Sequence, residues 1–475
     1  MNGLNEEFGT QIHIDKIKIS FFGDVNIKNV LINDHKKDSL FYVKNLKTNI
    51  INAAAWYQGD LYFGKVILDG FKMKMINYKG EKFTNLDLFV EAFEEENDTL
   101  PSNFFLKINK VTLKNSHYLF YDYNSTKHRL AEFTQINGTA KDLMIKGPNV
   151  YADIKSLALK DYRGLYIKEL SGLFSYTLKN ILIQKTVLIT EKSRIEGHVA
   201  LRYKREDFSD FNNKVLFDVN IKKASIASAD IKYFYQELGK GLQFKFKTKI
   251  KGTLNDLTFK HLDLEGSSRT ELIGDINFKN IFGKTAQQPF SMSGDLRKLT
   301  LNHQGLLKLL PNILKDKLPE EIALLGDISA RGNMHVTENL IDADLQVLTD
   351  LGVVQSDFLI NGFRNINNAL YQGTFKTDQF QLGTLIHQKD LGKITSDLKI
   401  DGRGFTQKTL NTKIEGKISS VEYHNYQYKN IDLKGSFKLP VFEGLVNIDD
   451  PNIKMSFDGL VSVDGKENQY VFQSE

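Results

Sequence analysis

The sequence predicts an all-β protein, a series of one-sided strands in a curved antiparallel sheet with only a few short helices. Apolar and polar residues alternate with a period of two in almost every segment, and many segments share one phase slip. Alternation indicates strands because successive side chains of a strand point to opposite faces. The composition of 33 Phe, 19 Tyr and 34 Gly against 7 Pro suits half-buried strands joined by tight turns.

Two strands show the alternation most clearly. The face opposite the apolar residues is polar in the first strand, and in the second it consists of Lys245, Lys247, Lys249 and Lys251. A strand with this pattern has one side in water and one against apolar material, which is typical of antiparallel sheets. The lysine row is interpreted as a solvated outer face, with a contact for anionic headgroups as the alternative. The apolar faces comprise Val215, Phe217, Val219 and Ile221 in the first strand, and Phe244, Phe246, Thr248 and Ile250 in the second.

A more specific regularity is an apolar residue at i, i+2, i+5 and i+7. The slip in the middle of this pattern predicts a β-bulge or kink that keeps both halves of the strand on one face. Bent strands of this kind make a curved sheet. The pattern occurs in Ile12-Ile14-Ile17-Ile19, Val25-Ile27-Val30-Ile32, Leu61-Phe63-Val66-Leu68 and Leu106-Ile108-Val111-Leu113.

Two segments have helical spacing. Ile231, Phe234, Tyr235 and Leu238 lie at i, i+3, i+4 and i+7, with Ser228 as the N-cap and Gly239 after the end. The leucine-rich segment Asn302–Leu318 is expected to form two short helices, because Pro311 interrupts it. Both segments are expected to cover a face or edge of the sheet; a lid or a membrane contact is the alternative.

Other segments are expected to be loops or strand ends. The acidic stretch Glu91–Asp98, followed by Pro101, is the best candidate for a loop or subdomain boundary, and Gly283–Pro289 is a second loop. The last residues, Gln469–Glu475, have the pattern of a further strand.

Charge and cysteine content exclude several classes of function. The 63 basic and 58 acidic residues nearly balance, so a nucleic-acid partner is not expected. Cysteine is absent, which excludes disulfides, thiolate nucleophiles and cysteine-based metal sites. No run of residues approaches the ~20 apolar residues that a membrane-spanning helix needs.

A search for catalytic and ligand-binding motifs gives nothing specific. Glu196 with His198, and His424 beside Tyr423 and Tyr426, come nearest to metal-ligand geometry, but neither group has a further candidate ligand. The run Asp449–Asn452 is interpreted as a turn rather than a calcium loop, because Asp, Pro and Asn each favour turns. No catalytic residue, metal or cofactor is expected, and the chain is not expected to be an enzyme.

Several segments resemble TamB proteins of the Bacteroidota type. They include the opening Phe8-Gly-Thr-Gln-Ile-His-Ile-Asp and Val30-Leu-Ile-Asn-Asp, which resemble the AsmA-like start of that family. Thr349-Asp-Leu-Gly and Tyr371-Gln-Gly-Thr-Phe fit as well. The closing part is similar to the family in residues 416–431, Gly435, Phe442-Glu-Gly and Asp450-Pro-Asn-Ile-Lys-Met-Ser-Phe-Asp-Gly.

The resemblance implies an elongated open groove of the β-taco type, with an apolar interior. Without it, apolar faces that pack against each other as sandwiches remain the competing interpretation. It implies four segments: 1–100, an AsmA-like β region; 101–223, a β-groove segment; 224–322, a β-groove segment with two helical insertions; and 323–475, a TamB-type segment. The residues expected to line the groove are Val215, Phe217, Val219, Ile221, Phe244, Phe246 and Ile250.

The resemblance also implies a function. Family members are periplasmic, are anchored to the inner membrane by one N-terminal helix, and move phospholipids between the inner and outer membranes of Gram-negative cells. The alternative is a translocation and assembly factor for outer-membrane or secreted proteins, acting with an Omp85-type (TamA-like) partner. The family's anchor precedes the region matching residues 4–20, and its sequence continues beyond residue 475; both are expected to be missing from this polypeptide.

Overall fold

A computed structural model describes residues 11–21, 24–50, 60–91, 105–125, 128–236, 238–281, 288–309, 311, 320–406, 408–438, 441–462 and 470–474. The chain forms two compact units. The first comprises residues 1–236 and 249–254, and the second comprises residues 237–248 and 255–475. One strand, β12 (Gln243–Thr253), contributes residues to both units.

In the first unit, each described strand pairs with the next along the chain. All pairs are antiparallel except β4–β5, which is parallel. Short helices are α1 (Asn85–Glu91), α2 (Phe211–Lys214) and α3 (Ser228–Ile231), and a 3-10 helix covers Arg205–Asp210. The strands are β1 (Gln11–Ile19), β2 (Asp24–Asn33), β3 (Ser39–Ile50), β4 (Asp60–Asn77), β5 (Phe105–Asp122), β6 (Arg129–Lys146), β7 (Asn149–Asp161), β8 (Tyr166–Tyr176), β9 (Asn180–Ile189), β10 (Arg194–Arg202) and β11 (Leu216–Ala227).

In the second unit, strands β13 to β25 pair in chain order, and every pair is antiparallel. Helices α4 (His303–Leu309) and α5 (Leu382–Leu385) follow strand ends, and a 3-10 helix (Glu320–Leu325) precedes β16. The strands are β13 (Asp256–Gly266), β14 (Glu271–Lys279), β15 (Ser291–Asn302), β16 (Asp327–Thr337), β17 (Leu340–Thr349), β18 (Gly352–Asn361), β19 (Leu370–Gln381), β20 (Leu391–Arg403), β21 (Asn411–Tyr423), β22 (Tyr426–Lys438), β23 (Val441–Asp449), β24 (Lys454–Ser462) and β25 (Tyr470–Ser474).

The all-β prediction is therefore confirmed: the described chain is an open, mostly antiparallel sheet structure with a few short helices. The strand expected at the C-terminus is β25. The four segment boundaries inferred from the resemblance stay predictions.

The repeated spacing explains how the first strands align. Ile12, Ile14, Ile17 and Ile19 of β1 pair respectively with Ile32, Val30, Ile27 and Val25 of β2. Leu61, Phe63, Val66 and Leu68 of β4 pair in the same way with Leu106, Ile108, Val111 and Leu113 of β5. The four patterned segments are thus two pairs of neighbouring strands, and their apolar residues are direct cross-strand partners.

The phase slip is a local kink, one of the two outcomes that the spacing predicts, and not a bulge. The register between β1 and β2 is the same on both sides of the slip, and Asp15 and Asn29, one residue on each strand, are the positions that make no ladder pair there. Asn29 has φ 52°, a left-handed conformation that asparagine tolerates better than most residues. Its Nδ2 donates to Asp15 Oδ2 at 2.8 Å, and its Oδ1 accepts a hydrogen bond from the Tyr42 hydroxyl at 2.9 Å. Asn29 at the kink therefore has side-chain partners on both neighbouring strands.

The first predicted helix is shorter than expected. Helix α3 has one turn, its N-cap is Ala227 rather than Ser228, and the amides of Phe234 and Tyr235 donate to the carbonyl of Ile231 before the helical path ends. Beyond that turn the ring of Phe234 lies 4.2 Å from the Arg163 guanidinium, so a contact with another loop replaces the helix.

The other loop and helix predictions fall partly outside the described residues. The described part of helix α4 runs to Leu309, and Pro311 is itself helical; residues 310 and 312–318 lie outside the described part of the chain, so the interruption at Pro311 stays a prediction. Residues 92–98 and 283–287 of the two predicted loops also lie outside it.

Helix α1 was not predicted from the sequence. It follows β4 and lies in the connection to the parallel strand β5. Buried Asn85 accepts a hydrogen bond from the Ile76 amide at 2.8 Å and donates to Asp34 Oδ2 at 2.9 Å, while Phe89 packs edge-to-face on Phe41. A polar network and one aromatic contact thus fix this helix against the sheet.

Candidate functional surface: the apolar face of the sheet

In the first unit, one face of the sheet is apolar in every described strand. A continuous row of cross-strand partners runs through the middle of this face from β1 to β11. Most of its side chains are half-buried. The row consists of Ile17, Ile27, Leu46, Leu68, Leu113, Gly138, Leu157, Leu170, Leu188, Ile195 and Ala224.

The second unit has an equivalent row from β13 to β24. It too is a chain of direct cross-strand partners, and its large side chains are mostly half-buried. Its residues are Leu262, Gly274, Leu296, Gly332, Leu345, Ser356, Phe375, Leu398, Gly416, Leu433, Val446 and Phe457. We call these two sets the central rows.

The opposite face of the second unit is polar and exposed. Lys399, Glu415 and Lys434 are successive cross-strand partners there and alternate in charge. A row of acidic and amide side chains crosses β14 to β18 in the same way: Asp275, Asp295, Asn333, Asp344 and Asp357. The sheet therefore has one polar, solvent-exposed face and one apolar face, as the one-sided patterns predict.

Only parts of the apolar face are covered. In each unit the described strands belong to one series of hydrogen-bonded neighbours, so among these residues no separate second sheet packs on it. In the second unit, buried Leu351, Phe380 and Ile394 lie under short helical segments. Those segments contribute Leu324 and Leu325 from the 3-10 helix and Leu382 and Leu385 from α5. None of these residues belongs to the central row, in which Leu262 and Leu296 are buried and the large side chains from β17 onward are half-buried.

Glycines on the apolar face lie where the neighbouring backbone approaches closely. Gly332 and Gly416 of the central row have φ 132° and 145°, values that side chains rarely adopt. A Cβ at Gly332 would collide with the carbonyl oxygen of Asp344, and one at Gly416 with that of Asp397. Glycine in a strand commonly marks a bend or such a close backbone approach. At both positions the conformation and the close neighbouring strand leave room for glycine alone.

The seven predicted lining residues lie on the apolar side of their segments. Phe217, Val219 and Ile221 of β11 pair with Leu201, Val199 and Gly197 of β10. Val215, just before β11, is fully buried. On β12, Phe244 is buried, Phe246 and Ile250 are half-buried, and the four lysines of the other face are exposed. Contact of these seven residues with lipid stays a prediction.

An aromatic cluster beside β11 was missed from the sequence. Tyr203 packs on Phe208 with 4.5 Å between ring centroids, Phe208 stacks on Phe211 at 6.2 Å, and Phe211 meets Phe217 edge-to-face at 6.0 Å. Burial raises the pKa of Tyr203, which is 6% exposed. The spacing of Tyr203, Phe208, Phe211 and Phe217 matches neither a strand nor a helix, so only the fold reveals that these rings meet.

The polar groups singled out in the sequence do not form a metal site. Glu196 pairs with Arg194 at 2.7 Å, and His424 lies 3.5 Å from Asp390. In the part of the chain that the structure describes, no three His, Cys, Asp or Glu side chains come together as metal ligands would.

The run 449–452 is a turn, as predicted. Asp450 is 1% exposed and accepts hydrogen bonds from the Tyr426 hydroxyl at 2.6 Å and from the amides of Lys429 and Asn452 at 2.9 Å. Hydrogen bonding, chiefly from Tyr426, lowers the pKa of Asp450 below its ordinary value. The carboxylate is therefore occupied in holding the turn together.

Comparison of the chain with protein-family models, with curated proteins and with solved structures found no match. Among the described helices, none has the length and apolar character that a transmembrane helix requires. The family resemblance depends on the quoted sequence segments alone and stays a prediction.

Proposed function

We propose that the chain is a segment of a periplasmic lipid conduit, which carries phospholipids between the inner and outer membranes of a Gram-negative cell envelope. The observation that supports this most directly is the pair of central rows. Each presents half-buried apolar side chains without interruption by a charged residue, over eleven strands in the first unit and twelve in the second.

The extent of each row suits several lipids. Neighbouring strands are separated by ~4.8 Å, so ten or eleven such spacings give about 50 Å per row. The acyl chains of one leaflet span about 15 Å, half of a hydrocarbon core of ~30 Å. Each apolar face therefore has room for several phospholipids rather than for one bound ligand.

The energetic need for such a surface follows from the acyl chains. Two tails of about 16 carbons lose roughly 0.8 kcal/mol per methylene on entering water, or ~25 kcal/mol in total. A barrier of about that size corresponds to a desorption time of days. A continuous apolar face lowers the barrier because the tails stay out of water, while the headgroups remain in solvent at the open side.

This function requires no reacting group. Apolar contact does not distinguish one headgroup from another, so lipid selectivity is expected to be low. The partners of the conduit are phospholipids and the two membranes, and neither a cofactor nor a nucleic acid is needed.

Mass spectrometry of organic extracts from the chain, purified without detergent, tests the proposal. Several phospholipids per polypeptide are expected. The double variant Phe217→Asp/Phe246→Asp should lose most of this lipid while remaining folded, because it places two carboxylates on the apolar side. A matched control is Leu216→Asp/Lys245→Asp, which puts the same charges on exposed neighbouring positions of the opposite face and should keep its lipid.

Two results would contradict the conduit. One is a folded, lipid-free wild-type chain; the other is equal lipid content in both double variants. Either would favour the second candidate, an assembly factor whose strand edges template outer-membrane proteins together with an Omp85-type partner. That function predicts capture of a β-barrel protein in place of lipid.

A further inference from the structure

One edge of the first unit's sheet is built from turns of a repeated design. It is the edge at which β2, β5, β7, β9 and β11 end, and we call it the turn edge. The first turn residue is buried and its side-chain oxygen accepts an amide N–H two residues later. These residues, each 4–6% exposed, are Asp34, Asp122, Asp161 and Thr190.

Two of these turns, and the loop after α3, carry exposed aromatic rings interleaved with arginine. The rings of Tyr123, Tyr162, Tyr233 and Phe234 are 42%, 38%, 42% and 54% exposed. The guanidinium of Arg129 lies 4.4 Å from the centroid of the Tyr162 ring. We call the six residues Tyr123, Arg129, Tyr162, Arg163, Tyr233 and Phe234 the aromatic–arginine belt.

Arg163 joins the parts of the belt. Its guanidinium lies 5.0 Å from the Tyr162 ring centroid and 4.2 Å from that of Phe234, so it links the β7–β8 turn to the loop after α3. The ring of Tyr233 lies against Gly164 of the same turn. Because both arginines rest on aromatic faces, their side chains are held extended among the rings.

Each belt arginine is paired with a carboxylate but is more exposed than its partner. Arg163 donates from Nε and Nη2 to Asp161 at 2.8 and 2.9 Å, and Arg129 donates to Glu132 at 2.9 Å. Both carboxylates lie deeper than their partners: Asp161 is 4% exposed against 38% for Arg163, and Glu132 is 21% exposed against 45% for Arg129. Burial alone would raise the pKa of Asp161, but hydrogen bonds from Arg163 outweigh it and keep the carboxylate ionised.

The belt residues lie along one edge of the sheet. Turns on one edge of an antiparallel sheet recur every second strand, or about every 10 Å, so their tips form a row rather than a pocket. Tyrosine rings with a polar hydroxyl and an apolar body favour the boundary between headgroups and acyl chains, and arginine binds phosphate there. A flat, anionic surface satisfies all of these groups at once.

We propose that the aromatic–arginine belt docks the first unit onto the surface of a bilayer that contains anionic phospholipid. This inference rests on the proposed function in one respect, since a lipid conduit has to meet a membrane. It assigns that contact to loop side chains of the first unit.

Flotation of the full chain with phosphatidylcholine vesicles, prepared with and without phosphatidylglycerol, tests the docking. The wild-type chain should bind the vesicles with phosphatidylglycerol, and added salt should weaken the binding. The variant Tyr162→Ser/Tyr233→Ser/Phe234→Ser should bind them about tenfold more weakly. The control variant Tyr151→Ser/Leu178→Ser/Leu216→Ser removes exposed apolar side chains from the opposite edge of the same unit and should bind like wild type.

The possible outcomes separate docking from transport. The docking proposal would be overturned if the wild-type chain bound neither kind of vesicle, or if the two triple variants bound equally well. Either result would favour a protein as the partner of the belt. Bound phospholipid, measured by mass spectrometry in the same preparations, should be unchanged in the belt variant. If the chain bound vesicles but carried no lipid, the conduit proposal would be overturned and the docking proposal would not. Circular dichroism verifies that every variant is folded.

Discussion

At the scale of single residues, the apolar face depends on its glycines as much as on its apolar side chains. Gly332 and Gly294 lie on the same face, on the adjacent strands β16 and β15. The two positions differ in backbone and in space. Gly332 has φ 132° and faces a carbonyl oxygen, whereas a Cβ at Gly294 would meet only side-chain atoms of Leu296 and Met334, at 3.3 Å.

This difference predicts unequal effects of alanine. Gly332→Ala should lower the free energy of unfolding by about 2–3 kcal/mol, because it forces a side chain into a disfavoured backbone conformation against a neighbouring strand. Gly294→Ala should cost less than about 1 kcal/mol, since flexible side chains can move aside. Urea denaturation followed by circular dichroism measures both. Equal losses of unfolding free energy would show that the positive φ at Gly332 adds nothing to the cost of alanine there.

At the scale of elements, the short helical segments of the second unit cover one end of the apolar face and leave the other end open. Strand β20 runs through both environments. Ile394, 6% exposed, packs in the cluster with Leu351 and Phe380 under α5. Ile400 points to the same face of the same strand, pairs with Ile414 and Gly373, and is half-buried.

Truncating these two isoleucines compares a covered with an open position. Ile394→Ala should destabilise the chain by about 2–4 kcal/mol, because a packed side chain leaves a cavity. Ile400→Ala should cost about 1 kcal/mol, since a half-exposed side chain loses less transfer free energy and leaves no closed cavity. Denaturant titrations of the lipid-free chain give both values. A loss at Ile400 as large as at Ile394 would mean that something covers this end of the face in solution.

At the scale of the whole molecule, both units present a long apolar surface that packing within the described residues does not bury. Soluble proteins rarely expose a contiguous apolar patch beyond a few hundred Å² without using it. The native, delipidated chain is therefore expected to bind an environment-sensitive dye such as anilinonaphthalene sulfonate, and short-chain phospholipid should displace it. Fluorescence titration measures both steps. If the native chain did not increase the fluorescence of the dye, the apolar face would not be accessible to ligands.

Local patterns in the sequence were sufficient to predict the strands and their apolar faces. The slip in Val25-Ile27-Val30-Ile32 located the kink at Asn29, and the lysines of β12 identified an exposed face, because both are properties of one strand. The seven candidate lining residues followed from alternation together with the family resemblance.

Features that depend on distant residues could not be predicted in this way. Helix α1 is fixed by Asn85 bonding to Asp34, 51 residues away, and the aromatic–arginine belt assembles from three separate turns. Residues 231–238 have helical spacing, yet the chain leaves the helix after one turn because Phe234 contacts Arg163. Tertiary contacts decide these cases, and one-dimensional periodicity carries no information about them.

The apolar spacing shared by β1, β2, β4 and β5 is the same in either reading direction. A strand with this spacing keeps its apolar residues in line whether its neighbour runs with it or against it, as the antiparallel pair β1–β2 and the parallel pair β4–β5 both show. A change in strand direction therefore does not interrupt the row of apolar cross-strand partners. We infer that such a sheet tolerates the insertion or loss of a single strand, because the apolar row stays aligned whichever way the next strand runs.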